Sequence, residues 1–106
     1  MTITDTTTEL QIEIVQLKKA ALVFRAINNK LRQQVLHLIH QNARITVTEI
    51  YVKLNLEQSV TSQHLSILRQ AGYVNTEKEG KYRFYSVNYA RLNQVHETAK
   101  NLITNI

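Results

Sequence analysis

The chain contains no cysteine, no proline and no tryptophan, and only two glycines in 106 residues. The absence of cysteine excludes disulfides, thiolate metal sites and thiol redox switching. Two glycines cannot build a phosphate-cradling loop, and the single aspartate, Asp5, stands in a polar N-terminal stretch. No grouping of nucleophile, base and orienting residue remains, so the sequence offers no catalytic site and no cofactor motif. There is no apolar run of 18 residues to span a bilayer and no signal peptide, which points to a cytoplasmic protein without a membrane partner.

What is present is an excess of positive charge. Thirteen Lys and Arg against eight Asp and Glu give a net charge of +5, which favours a polyanionic partner without specifying one. A chain of this length forms a single domain and buries about 60–70% of the surface its unfolded form exposes. Such a core is modest, and a partner subunit is a natural source of further burial.

Residues 1–8 are polar, threonine-rich and aperiodic, and read as a disordered tail before a domain over 9–106. From Glu9 a helical period sets in. Leu10, Ile14, Leu17, Ala21 and Phe24 form one stripe, and Ile12, Val15, Leu22 and Ala26 form another on a different side. A helix apolar on two sides must bury both, which a second subunit does more economically than so short a chain alone. A central core helix in a monomer is the alternative. A second helix is expected from Asn29 to about His40, with Leu31, Val35, Leu38 and Ile39 inward, followed by a loop at Gln41-Asn42-Ala43.

Thr46-Val47-Thr48-Glu49 has the form of a capping box and opens a short helix that ends near Asn55, a residue that tolerates the left-handed conformation. The following helix, 58–71, organises the rest. Plotted at about 100° per residue, Gln58, Arg69, Ser62, Ser66, Ser59, Gln70 and Gln63 share one arc of roughly 140°, opposite Val60, Ile67, Ala71, His64, Leu68, Thr61 and Leu65. A helix that only meets water usually displays Lys and Glu. Amide and hydroxyl groups are what base edges and phosphates are read with. Two helices joined by so short a turn make a helix-turn-helix whose second member is the recognition helix. Residues 73–87 then switch to extended, aromatic and β-branched patterning around Gly80, which reads as a two-stranded β wing. Asn88 caps a last helix with Leu92, Val95, Ala99, Leu102 and Ile106 on one stripe, broadened by His96 and Ile103. The class is mainly α (α+β), with about five helices and a wing.

The run from Ser59 to Val87 resembles the signature of the ArsR-type winged-helix transcriptional regulators. It carries Ser62-Gln63-His64-Leu65 with Leu68, then Ala71-Gly72-Tyr73-Val74 and a basic wing. A second, weaker match lies at Ala26 to Leu36, where Asn29 and Lys30 stand in place of the family's Asp and Pro. The resemblance covers roughly residues 20 to 104. It implies a homodimer paired through its first and last helices and repression by covering a promoter.

Helical wheel and resemblance together nominate Gln58, Ser59, Ser62 and Gln63 as groove-facing residues on double-stranded DNA. Gln matches adenine N6 and N7, and Ser serves either a base or a phosphate. Thr46 at its helix mouth adds a candidate phosphate contact. On the wing, Lys78, Lys81 and Arg83 are candidates for phosphate or for plain solvated surface, with Lys81 and Arg83 expected on one face and Tyr82 and Phe84 packed inward on the other. Arg32, at the position of the family's recurrent Arg, has phosphate contact and a structural ion pair open to it. His64, in the middle of the apolar arc, is expected to be hydrogen-bonded and largely buried.

Metal-sensing members of the family use Cys pairs, or Asp and His pairs on the last helix. Neither set carries over to this chain. His37 and His40 have clip spacing and His96 lies on the last helix, but no carboxylate accompanies them, and they read as ordinary histidines. The effector is not named by the sequence. The second functional reading is a winged-helix protein-interaction module without specific DNA binding.

Overall fold

A computed structural model describes residues 3–6 and 9–106. A short antiparallel hairpin, β1 (Ile3–Thr6) and β2 (Glu9–Ile12), precedes α1 (Ile14–Ile27) and α2 (Lys30–Asn42). Strand β3 (Ile45–Thr46) leads into α3 (Val47–Leu54) and α4 (Gln58–Gln70), and β4 (Val74–Glu79) and β5 (Tyr82–Val87) form the wing before α5 (Tyr89–Ile103). Part of the tail expected over 1–8 lies outside the described residues. Its described part is strand β1, and the helix predicted from Glu9 begins instead at Ile14. The cause is visible in Leu10-Gln11-Ile12-Glu13, where apolar and polar residues alternate with the period of a strand.

The radius of gyration is 17.1 Å, against about 13 Å expected for a compact domain of this length. Residues 10–22 are exposed throughout, so this N-terminal arm stands off the core. The core is built from Val35, Leu36 and Ile39 of α2, Ile50 of α3, Leu65 and Leu68 of α4, and Ile45, Tyr73, Val74, Val87 and Val95 around them.

Local chemistry fixes each junction. Asn29 caps α2 by accepting from the Arg32 amide at 2.9 Å. The α1 C-terminus is closed from the same turn: Arg32 Nε donates to Ala26 O at 2.6 Å, its Nη2 to Arg25 O at 3.2 Å, and Gln33 Nε2 to Ile27 O at 2.9 Å. These bonds satisfy carbonyls that a helix end leaves orphaned, and the guanidinium charge sits at the negative end of the helix dipole. Helix α2 runs to Asn42, past the expected loop, because Ala43 turns the chain alone at φ 63° with Arg44 N donating to Asn42 O.

Thr46 and Glu49 form the full capping box of α3, and Asn55 adopts the left-handed conformation at φ 54° that sets the turn into α4. At the other end of α4, Gly72 N donates to Arg69 O and Tyr73 N to Leu68 O, a Schellman motif with Leu68 and Tyr73 both buried. Its left-handed residue is Gly72, at φ 88°.

The sheet has three strands, in the order β3-β5-β4, where the sequence predicts two. A two-residue strand has no readable period, but Ile45 is fully buried opposite Tyr85. The wing's inward face also differs from expectation. Tyr85 packs on the core and Val87 is part of it. Residues two apart share a face, so Tyr82 and Phe84 point the other way, and Arg83 lies in line with the core face beyond its edge. Gly80, at φ 60°, occupies the first of two central turn positions.

Candidate nucleic-acid interface

Helix α4 is held against the core by Leu65 and Leu68, and by Thr61, whose buried hydroxyl donates to Glu57 O at 3.0 Å. Burial of that side fixes the rotation of the helix and turns the opposite side outward. Gln58, Ser59, Ser62, Gln63, Ser66, Arg69 and Gln70 are all exposed. The result is a continuous face of amide and hydroxyl groups with one guanidinium, and no acid interrupts it. Such groups donate and accept at the width of a major groove.

Lys78, Lys81 and Arg83 are exposed around the hairpin tip, with Lys78 and Arg83 cross-strand partners and Lys81 in the turn itself. Arg83 Nη1 donates to Thr76 Oγ1 at 3.2 Å, and Lys81 Nζ lies 5.4 Å from the Tyr82 ring centre. Sequence reasoning missed Arg44. Its guanidinium stacks 3.9 Å above Phe84 and pairs with Glu79 at 3.0 Å, bracing the outer face of the wing. The signal for it was a long-range strand pairing that no local pattern announces.

Two nominated residues have other duties. The Thr46 hydroxyl accepts from the Glu49 amide and donates to the Glu49 carboxylate, so the mouth of α3 already holds an anion. Among the described residues Arg32 makes no ion pair. Besides capping α1, it donates through Nη1 to His64 Nδ1 at 3.3 Å. His64 therefore accepts at Nδ1 and carries its proton on Nε2. Burial lowers its pKa from 6.5, and the adjacent Arg32 charge lowers it further. His64 is a neutral strut between α2 and α4, half-buried.

Tyr73 performs a similar service across the fold. Its buried hydroxyl donates to Val23 O of α1 at 2.8 Å, and burial raises its pKa, with Arg91 opposing the shift. Among the described residues, no three His, Asp or Glu side chains converge as a metal site, and no helix is long and apolar enough to cross a membrane.

Comparison with known proteins agrees with this geometry. A sequence profile described as bacterial regulatory protein, arsR family, matches residues 29–76, from the α2 cap into the wing. The transcriptional activator HlyU of Vibrio cholerae is 36% identical over 84 residues, 79% of this chain and 77% of its own length. The chain belongs to the ArsR family. It is accordingly a DNA-binding transcriptional regulator with a winged helix-turn-helix, and not an enzyme. The reduced HlyU structure superposes on this ArsR-family chain with a TM-score of 0.63 at 33% identity, covering 85% of this chain and 94% of that one. The transcriptional repressor PagR of Bacillus anthracis gives a TM-score of 0.63 at 26% identity over 85% of this chain and 99% of its own. A homodimeric winged helix-turn-helix domain from Mycobacterium bovis shares the fold, with a TM-score of 0.69 at 23% identity over 91% of each chain.

Proposed function

We propose that this regulator acts as a cytoplasmic homodimer that binds an inverted repeat in double-stranded DNA and represses by occluding a promoter. The observation that carries the reading is the unbroken amide and hydroxyl face of α4, free of acids and carrying the single Arg69 guanidinium, turned outward by its buried opposite side. Gln58, Ser59, Ser62 and Gln63 contact base edges and flanking phosphates, while Lys78, Lys81 and Arg83 hold the backbone. Thr46 is a secondary phosphate contact, and Arg32 acts through the fold rather than on DNA.

The dimer reading is supported by surplus apolar surface at both ends of the chain. Leu10, Ile14, Val15 and Leu22 lie exposed toward the N-terminus and Leu102, Ile103 and Ile106 toward the C-terminus, a concentration that a monomer does not leave to water. Two recognition helices related by a two-fold axis would meet half-sites roughly 34–36 Å apart, or a multiple of that, on one face of the duplex. The homodimeric state of the Mycobacterium bovis neighbour is consistent with it. HlyU is an activator and PagR a repressor, so the fold serves both signs. Occlusion is the simpler, because it needs only occupancy.

The test is selection of bound duplexes from a random DNA pool at near-physiological salt, with a Gln58→Ala, Ser62→Ala double variant in parallel. A palindromic motif that disappears in the variant supports the reading. Weak, salt-sensitive binding with no motif, unchanged by the variant, would favour a protein-interaction module instead.

A further inference from the structure

A cavity of about 360 Å³ opens between α2 and α5, lined by none of the residues assigned to DNA. Aliphatic walls from Leu36, Val87 and Leu92 meet a rim carrying His37, His40, His96 and Tyr89. We propose that this cavity binds a small aromatic carboxylic acid, and that such an acid is an effector of the regulator. The effector half rests on the DNA-binding reading above; the binding half does not.

The size falls in the range of small-ligand sites, about 300–1,000 Å³, and suits a one- or two-ring molecule. Among the described residues the lining holds no Asp, Glu, Lys or Arg, and its polar side chains are the three imidazoles, the Tyr89 phenol and the Gln33 amide, all able to donate hydrogen bonds. A carboxylate is the acceptor that this donor-rich, acid-free rim suits, through charge-assisted hydrogen bonds from imidazole N–H and phenol O–H groups. The rim is aromatic: Tyr89 stands edge-on to His40 with ring centres 5.7 Å apart, and His37 lies 6.2 Å from His40. A flat ring entering between the helices meets aliphatic walls and ring edges, an arrangement aromatic groups favour. A metal fits less well. His40 Nδ1 is already bonded to Tyr89 Oη at 2.6 Å, and among the described residues no third ligand converges.

The cavity sits where it can bias the rest of the protein. Tyr89 is the first residue of α5, and Asn88 just before it is tied to the end of α4: its Nδ2 donates to Gly72 O and its amide to Tyr73 O, both at 2.9 Å. Ile103, on the exposed apolar stripe of α5, lies about 20° from His96 around the helix axis at 100° per residue. A ligand that moves Tyr89 therefore bears on the seating of the recognition helix and on the pairing surface together. An effector acts only through such a difference in affinity between two arrangements.

The experiment titrates the full chain, without DNA, with indole-3-acetate and benzoate, using indole-3-acetamide and Zn²⁺ as counter-probes, by calorimetry and amide chemical shifts. The expected result is saturable binding of an acid, one per chain, with shifts centred on α2 and the start of α5 and extending through Asn88 to Gly72 and Tyr73, and the amide about tenfold weaker. His96→Trp, which fills the mouth from an exposed position, should abolish it, and Tyr89→Phe should weaken it. Equal binding of the amide, no saturation by either acid, Zn²⁺ binding alone, or insensitivity to His96→Trp would each overturn the site. A bound acid should lower affinity for the selected duplex; binding with unchanged DNA affinity overturns the effector half. If no duplex is selected at all, that failure belongs to the DNA-binding reading and leaves the binding isotherm standing.

Discussion

Removing the wing's cations should flatten the salt dependence of DNA binding without unfolding the protein. Lys78, Lys81 and Arg83 are exposed, and none of them takes part in the core. If each neutralises one phosphate, a dimer makes six such contacts, and log K falls against log salt with a slope of about −5.4 from the wings alone. Between 50 and 200 mM salt that slope costs about a thousandfold in affinity. The triple Ala variant should bind more weakly at low salt and lose about five units of slope. Fluorescence anisotropy on a labelled duplex over that salt range measures both quantities. A variant whose slope stays within about one unit of the wild type would refute phosphate contact by the wing and return these side chains to solvated surface.

Other perturbations separate structural from DNA-facing roles. Arg32→Ala should lower the melting temperature, because carbonyls at the end of α1 and the His64 bond lose their donor, while the salt slope stays unchanged; a slope change with normal stability would restore the phosphate reading. Gly72→Ala places a Cβ 2.7 Å from Arg91 Nε at φ 88° and should cost about 1–2 kcal/mol, seen as a lower Tm at fixed protein concentration; an unchanged Tm would contradict the Schellman closure. His64 is held neutral with a pKa below 6.5, so the unfolded chain takes up its proton first as pH falls. Its contribution to stability should be complete above pH 6.5 and decline below it until the folded pKa is passed; the decline should be shallower in His64→Gln, and an identical pH profile in the variant would remove the strut role.

The middle of the chain announced its own structure because its signals are local. Asn29, Thr46 with Glu49, Asn55, Gly72, Gly80 and Asn88 each act within a few residues, and each holds the conformation its chemistry requires. The exposed set on α4 was readable for a related reason, since a helix with one apolar side has only one way to turn. What escaped depended on distant partners. Alternation in the wing separates Tyr82 and Phe84 from Arg83 and Tyr85, but pairing of Ile45 with Tyr85 decides which set faces inward. Arg32 looked free for phosphate or an acid, yet the carbonyls it caps belong to a helix end whose approach no local pattern records. In the N-terminal arm both periods fit the same apolar residues, and the strand period prevailed up to Ile12.

The most direct test of the central claim is an amide chemical-shift map of the labelled protein titrated with its selected duplex. The largest perturbations should fall at Gln58, Ser59, Ser62 and Gln63 and at the wing tip from Lys78 to Arg83, with smaller shifts reaching the α2–α5 cavity through Asn88. Shifts centred on α1 and α5, with the α4 face unmoved, would contradict it.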